Sequence, residues 1–215
     1  ELGVWLSQQQ LKEGRSRKKK EHYVTLLTKF EDLKKLKVLV IGELILDKYT
    51  LCEPLGKSGK DPIMMFKKDE SKMIMGGSGA IANNLSNFCK EIKLISYVGK
   101  NINSKRFVQK NLDKKIKKEF LYINGPTIQK EKFIDKNSGS KVIGFYNFDD
   151  SFIDNRNQNK LKNLLKTNLK KYDLVIVANY GHGLINDEIA TLISNKAKFL
   201  VVNSQINAAN IFHHS

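Results

Sequence analysis

Arginine is nearly missing from this chain: of 38 basic residues only Arg15, Arg17, Arg106 and Arg156 carry a guanidinium. Against 22 acidic residues the formal net charge is +16, which on its own would point to nucleic acid or an anionic membrane. Phosphate and base-edge recognition leans on the planar guanidinium fork, and no stripe of interleaved basic and aromatic residues runs through the sequence. Lysine, asparagine and isoleucine are enriched together, as compositional drift would produce, so the charge reads as background and nucleic acid is disfavoured as a partner. Cysteine is almost as scarce. Cys52 and Cys89 lie far apart, match no metal or redox spacing and imply no disulfide framework, which fits a reduced compartment. No apolar run reaches the roughly 18 residues a membrane helix needs, and a signal peptide is not evident, so no membrane partner and a cytoplasmic location are expected. What is present is a 40% apolar content over 215 residues, enough to bury a real core.

Residues 1–36 read as a linker followed by a helix: 1–20 offer little to bury, and Tyr23, Leu26, Leu27, Phe30 and Leu33 then recur at helical spacing. Lys37 to Ile41 (KVLVI) is a short run, apolar after its first residue, of the kind covered on both faces in a parallel sheet, and 93–98, 120–123, 174–178 and 199–202 repeat its character. Helical stretches are expected near 79–90, 104–118, 156–171 and 186–197. Strands alternating with helices predict an α/β fold with a doubly wound, mostly parallel sheet, whose ligands sit beyond the carboxyl ends of the strands. Two extended segments interrupt the alternation, 49–68 and 127–148. The second is a hairpin candidate with Asn137-Ser138-Gly139-Ser140 as its turn, and together they predict a small β lid. The chain starts without Met and stops at His213-His214-Ser215 just after an apolar run, so a fragment, incomplete at its C-terminus, is expected.

Several motifs invite a stronger reading than they support. Gly56-Lys57-Ser58 resembles the end of a P-loop, but Leu51 stands where the first glycine is needed and Pro54 and Pro62 bracket the segment. Gly77-Ser78-Gly79-Ala80-Ile81-Ala82 fits a loose dinucleotide fingerprint, yet no carboxylate follows the next strand at Tyr97 to Asn101 to hold a ribose. What remains is that Gly76 and Gly77 permit close approach of a ligand to the backbone, at a helix start that favours acceptors. Asp47, just past the first strand, is placed to accept hydrogen bonds from two sugar hydroxyls, whereas Glu43 is expected to serve turn hydrogen bonds. His182 lies in Asn179-Tyr180-Gly181-His182-Gly183 directly after strand 174–178, again at a carboxyl end. No nucleophilic triad and no metal cluster can be assembled.

Taken in order, KVLVIGELILDKY at 37–49, GGSGAIANNLSNF at 76–88, PTIQKEKF at 126–133, DLVIVANYGHG at 173–183 and FLVVNSQ at 199–205 resemble the ribokinase-like (PfkB) carbohydrate kinases, and the heptose-phosphate kinase branch in particular. The resemblance covers 37–215 as the N-terminal two-thirds of such a domain. It implies transfer of the γ-phosphoryl group of ATP, with Mg²⁺, to a hydroxyl of a sugar or sugar phosphate. Asp47 matches the aspartate that grips sugar hydroxyls, Gly76 and Gly77 the glycine pair beside the sugar, and Asn84 the later asparagine of the glycine-rich signature. Asn179 and His182 stand where the heptose branch has aspartate and lysine, and with Asn203 they are candidates for the phosphate or nucleotide side. Ala80 replaces the first signature asparagine, and Asn203 and Gln205 replace an aspartate and a lysine.

The lid of this family often mediates dimers, so a homodimer through 49–68 and 127–148 is expected. Lysines 57, 60, 130 and 132 are candidates to meet a phosphate on the sugar. A subgroup whose segments read like GGALAIANHL and CEPLGKSGKEP is a closer likeness and joins a nucleotidyltransferase to the kinase, so 1–36 is expected to be the tail of an upstream domain. The G-A-G-D motif that supplies the catalytic base and anion hole is absent, so the base is expected beyond residue 215 and the chain alone is expected to be inactive. The alternatives are a degenerate sugar-binding or regulatory domain of a bifunctional nucleotidyltransferase, and a basic nucleic-acid-binding module.

Overall fold

A computed structural model describes residues 31–149 and 151–205. The connector 1–20, most of the helix expected over 21–36, and His213 and His214 lie outside these residues; the described end of that helix, 31 to 33, is helical.

Among the described residues nine strands and four α-helices follow: β1 (Lys37–Gly42), β2 (Leu44–Lys57), β3 (Met64–Gly76), α1 (Gly77–Leu85), β4 (Glu91–Gly99), α2 (Ile102–Asn111), β5 (Lys117–Ile123), β6 (Ile128–Asp135), β7 (Lys141–Asn147), α3 (Asn155–Asn168), β8 (Leu174–Asn179), α4 (Asp187–Lys196) and β9 (Leu200–Ser204). Five of the strands form one sheet in the order β5-β4-β1-β8-β9, every neighbouring pair parallel. Its two faces are read directly from β1. Leu39 and Ile41 join Tyr97, Val175 and Val177 in a core closed by Leu161 and Leu165 of α3 and Ile189 and Ile193 of α4. Val38 and Val40 join Ile92 and Leu94 in a second core closed by Ala82 of α1 and Val108 of α2. Alternate residues of one strand thus feed two helical layers, the reason a doubly wound strand has no polar face. The helix starts are chemically explicit. Asn101 accepts from the backbone N–H of Asn103 at 2.9 Å, Asp154 from Asn157 at 2.8 Å and Asn186 from Ile189 at 2.9 Å.

The other four strands form a sheet in the order β3-β2-β6-β7, with β2 and β6 parallel and the outer pairs antiparallel. This is the lid, and the hairpin 127–148 is present in it as β6 and β7. Its turn closes with Gly139 at φ +70°, a conformation that favours glycine.

Three boundaries differ from the sequence reading. The lid strands are longer than 49–68: β2 begins at Leu44, one residue after β1, and β3 continues to Gly76. Asp47 is therefore inside a lid strand rather than in a loop. The helix expected over 104–118 stops at Asn111, because buried Leu112 and Ile116 are held in a turn whose Asp113 N–H donates to Asn83 Oδ1 at 2.9 Å. The helix expected over 79–90 starts earlier, at Gly77, and ends at Leu85. Among the described residues no helix is long and apolar enough to cross a membrane.

Candidate functional site

From β1 the chain winds to β4 and β5 on one side of the sheet, then returns to β8 and β9 on the other. The direction of winding reverses between β1 and β8, and a crevice at such a switch point is where open parallel sheets receive ligands. Four segments converge there: the β1–β2 junction, the root of the lid, the start of α1 and the loop after β8.

The junction is tightly specified. Gly42 leaves no room for a side chain, since an added Cβ would collide with the Ala178 carbonyl. Ser78 donates its backbone N–H to the Glu43 carbonyl and its hydroxyl to the Gly42 carbonyl, each at 2.9 Å. The Leu44 N–H donates to Ser96 Oγ at 3.0 Å. The Glu43 side chain is fully buried, and its two oxygens accept separate backbone N–H groups across the crevice, Tyr180 at 2.8 Å and Leu184 at 3.3 Å. Burial pushes the Glu43 carboxyl above the usual carboxylate range, while the N–H groups of Tyr180, Leu184, Glu43 and His182 oppose the shift.

Asp47 stands two residues into the lid root from Ile45, the β-sheet partner of Gly76. An added Cβ on Gly76 would run into Asp47 Oδ2, so the carboxylate lies directly against the glycine backbone. Lys132 of β6 approaches Asp47 Oδ1 to 3.5 Å and lies 5.4 Å from the centre of the Tyr49 ring. Lys130, the register partner of Asp47, lies 5.7 Å from the Tyr146 ring. Gly77 opens α1 at φ +56°, where an added Cβ would strike the Glu43 carbonyl. In the loop after β8, burial is the first cause raising the Tyr180 hydroxyl pKa, and the negative charges of Glu43 and Asp47 add to the shift.

Asp47, Gly76 and Gly77 are thus brought together. Asn84 is in α1 but exposed, while its neighbour Asn83 makes the structural bonds to Asn111 and Asp113. Asn179 is half-buried and its Oδ1 accepts from the Gly181 N–H at 3.1 Å. Asn203 is exposed on β9, in register with Ala178. His182 lies three residues beyond Asn179, in the loop after β8, and is buried. Its ring packs 4.6 Å from that of Phe148, its carbonyl accepts from the Tyr97 hydroxyl at 2.9 Å, and it lines an open pocket of about 180 Å³ with Tyr97, Asn124, Asp149 and Asp154. Of the four candidate lysines, 130 and 132 are half-buried near Asp47, whereas 57 and 60 are exposed at the far end of the lid. Among the described residues no group of three or more His, Cys, Asp or Glu side chains converges to hold a metal ion.

Sequence reasoning underrated Glu43 and passed over Tyr180. The signal for Glu43 was present: an acid between KVLVIG and LIL cannot reach solvent if both runs are buried strand, so it must be hydrogen-bonded inside.

Comparison with known proteins places this geometry. The parallel sheet and lid give the chain a ribokinase-like fold. It superposes on phosphofructokinase-2 from Escherichia coli with a TM-score of 0.60 at 11% identity, covering 79% of this chain and 55% of that one. Ribokinase from Thermotoga maritima gives 0.52 at 18% identity, covering 78% and 52%. By sequence, the chain is similar to the bifunctional protein HldE of a Nitratiruptor species, 26% identical over 163 residues. It is likewise similar to HldE of Aliarcobacter butzleri, 28% identical over 169 residues. These alignments cover 76% of this chain in each case and 35% and 34% of the two relatives, so the chain spans about a third of their length. No family model matches it.

Proposed function

We propose that this chain forms the sugar-holding part of an ATP-dependent carbohydrate kinase acting on a hydroxyl of a sugar or sugar phosphate, of the heptose-phosphate kind. The observation that carries the reading is the Asp47 carboxylate packed on the Gly76 backbone, at the switch point of a ribokinase-like sheet and at the root of a lid. A carboxylate accepts from two vicinal hydroxyls at once, and glycine lets the sugar ring approach the main chain; together they orient a hydroxyl for in-line attack. Lys130 and Lys132, on the same side of the lid as Asp47, suit an anionic group elsewhere on the sugar.

ATP and Mg²⁺ enter as requirements of the complete kinase. The described residues do not fit a Mg²⁺ site: Asp47 is paired with Lys132, and both Glu43 oxygens are engaged by backbone N–H groups. The base that takes the hydroxyl proton is proposed to lie beyond residue 215. A homodimer through the lid is part of the same reading, supported by exposed Ile143 and Phe145 on β7.

The test is calorimetric titration of the chain and of Asp47→Ala with ribose, fructose 6-phosphate and a heptose phosphate. Binding of at least one of them by the unaltered chain, weakened at least about tenfold by the substitution, is expected. Equal binding by both proteins would show that the sugar sits elsewhere.

A further inference from the structure

Among the described residues Glu43 is the one fully buried carboxylate, and its hydrogen bonds run from the junction of two strands to a distant loop. It has only one residue's length to join β1 to β2, so its side chain cannot avoid the interior. Besides bonding its own backbone N–H, the carboxylate reaches a loop 137 to 141 residues away and takes up the N–H groups of Tyr180 and Leu184 on separate oxygens. These donors bracket Gly181 and Gly183, both at positive φ, φ +74° and +80°, so the loop backbone has few conformational restraints of its own. The main chain of Glu43 meanwhile bonds Ala178 and Ser78, linking the same residue to the end of β8 and the start of α1.

We infer that Glu43 is a positioning residue: without touching sugar, it clamps the loop Asn179 to Leu184 onto the β1–β2 junction and so fixes where Tyr180 stands at the crevice. The electrostatic influence of both Glu43 and Asp47 on the Tyr180 hydroxyl agrees with this placement. The inference rests on the sugar-site reading above, but the clamp itself is a property of the unliganded protein.

Two measurements on the full chain separate the clamp from the site. In Glu43→Gln, which keeps the side-chain shape but turns an NH₂ group toward one of the two donors, hydrogen exchange at the Tyr180 and Leu184 amides is expected to quicken about tenfold or more, with β1 and β4 amides unchanged. Should Glu43→Gln not fold, Glu43→Asp, which keeps the charge but falls one methylene short, gives the same comparison. Affinity for fructose 6-phosphate or a heptose phosphate is then measured in Glu43→Gln, Tyr180→Phe and the double variant. A positioning residue acting through Tyr180 gives losses that do not add, whereas a general structural role gives additive ones. Unchanged exchange at the two amides, or additive losses, overturns the inference. Absence of binding by the unaltered chain counts against the sugar site instead, and the exchange comparison alone then decides the role of Glu43.

Discussion

Two adjacent glycines at the root of the lid are expected to fail in opposite ways when each is replaced by alanine. Gly76 has φ −119° and ψ −172°, a conformation any residue adopts, so Gly76→Ala carries no backbone penalty. Its new Cβ instead meets the end of the Asp47 side chain, which can turn away. Moving a carboxylate off its rotamer costs about 0.5–1.5 kcal/mol, and the stiffer unfolded chain offsets about 0.4–1 kcal/mol of that. The melting temperature should therefore move by no more than about 4 °C. Binding should suffer far more. A charge-assisted hydrogen bond contributes about 1.5–3 kcal/mol, so losing one of the bonds from Asp47 to the sugar weakens affinity about tenfold to a hundredfold. Gly77→Ala places a side chain at φ +56° and drives its Cβ into the Glu43 backbone carbonyl, which has no rotamer to escape into. Left-handed strain of about 1–2 kcal/mol plus that collision sums to about 3 kcal/mol or more, roughly 6–12 °C in melting temperature for a domain of this size. Differential scanning fluorimetry and calorimetric titration with a heptose phosphate or fructose 6-phosphate read both quantities on the same samples. If Gly76→Ala bound like the unaltered protein, or melted as low as Gly77→Ala, the placement of Asp47 against Gly76 would be wrong.

Two further outcomes follow from the core and from a surface network. Leu39→Ala, at a fully buried position of the central strand, should lower stability by about 3 kcal/mol as judged by urea denaturation, with sugar affinity unchanged once the protein is folded. Glu91 is held below its ordinary value of 4.5, chiefly by its hydrogen bond with Lys117 and then by that of Tyr172. A depressed carboxyl adds stability that is present above 4.5 and is lost as pH falls through the lower folded value. The stability advantage of the unaltered protein over Glu91→Gln should accordingly shrink on acidification below that point, and an advantage that grew there would contradict the assignment.

The central sheet was legible because its strands are apolar on both sides: KVLVI can be buried on both faces only between two helical layers, and its odd and even residues do feed separate cores. The lid hairpin was legible from its turn. The reach of β3 was hidden, because Lys67 to Lys72 is polar at every position and exposed on both faces, leaving no period of two to detect. The helix expected over 104–118 is shorter because Leu112 and Ile116 are buried in a turn pinned by Asn83 and not on a helical face. At the candidate site, Asp47 and the glycine pair could be named from pattern because they lie on, or at the end of, two strands adjacent in the sheet and joined by one hairpin. The clamp of Glu43 on Tyr180 and Leu184 depends on a contact between distant segments that only the winding order of the sheet creates.

The length of β2 gives the lid a mechanical property. Its 14 residues, at about 3.3 Å each, make an arm of about 46 Å held at one end by buried Leu44, Ile45 and Leu46. With such leverage a tilt of about 5° at those three residues sweeps the far tip through about 4 Å. The travel of the tip is therefore governed at the fulcrum, and substitutions that loosen the packing of Leu44 to Leu46 should alter how far the arm swings more than any change near Leu55 or Met64.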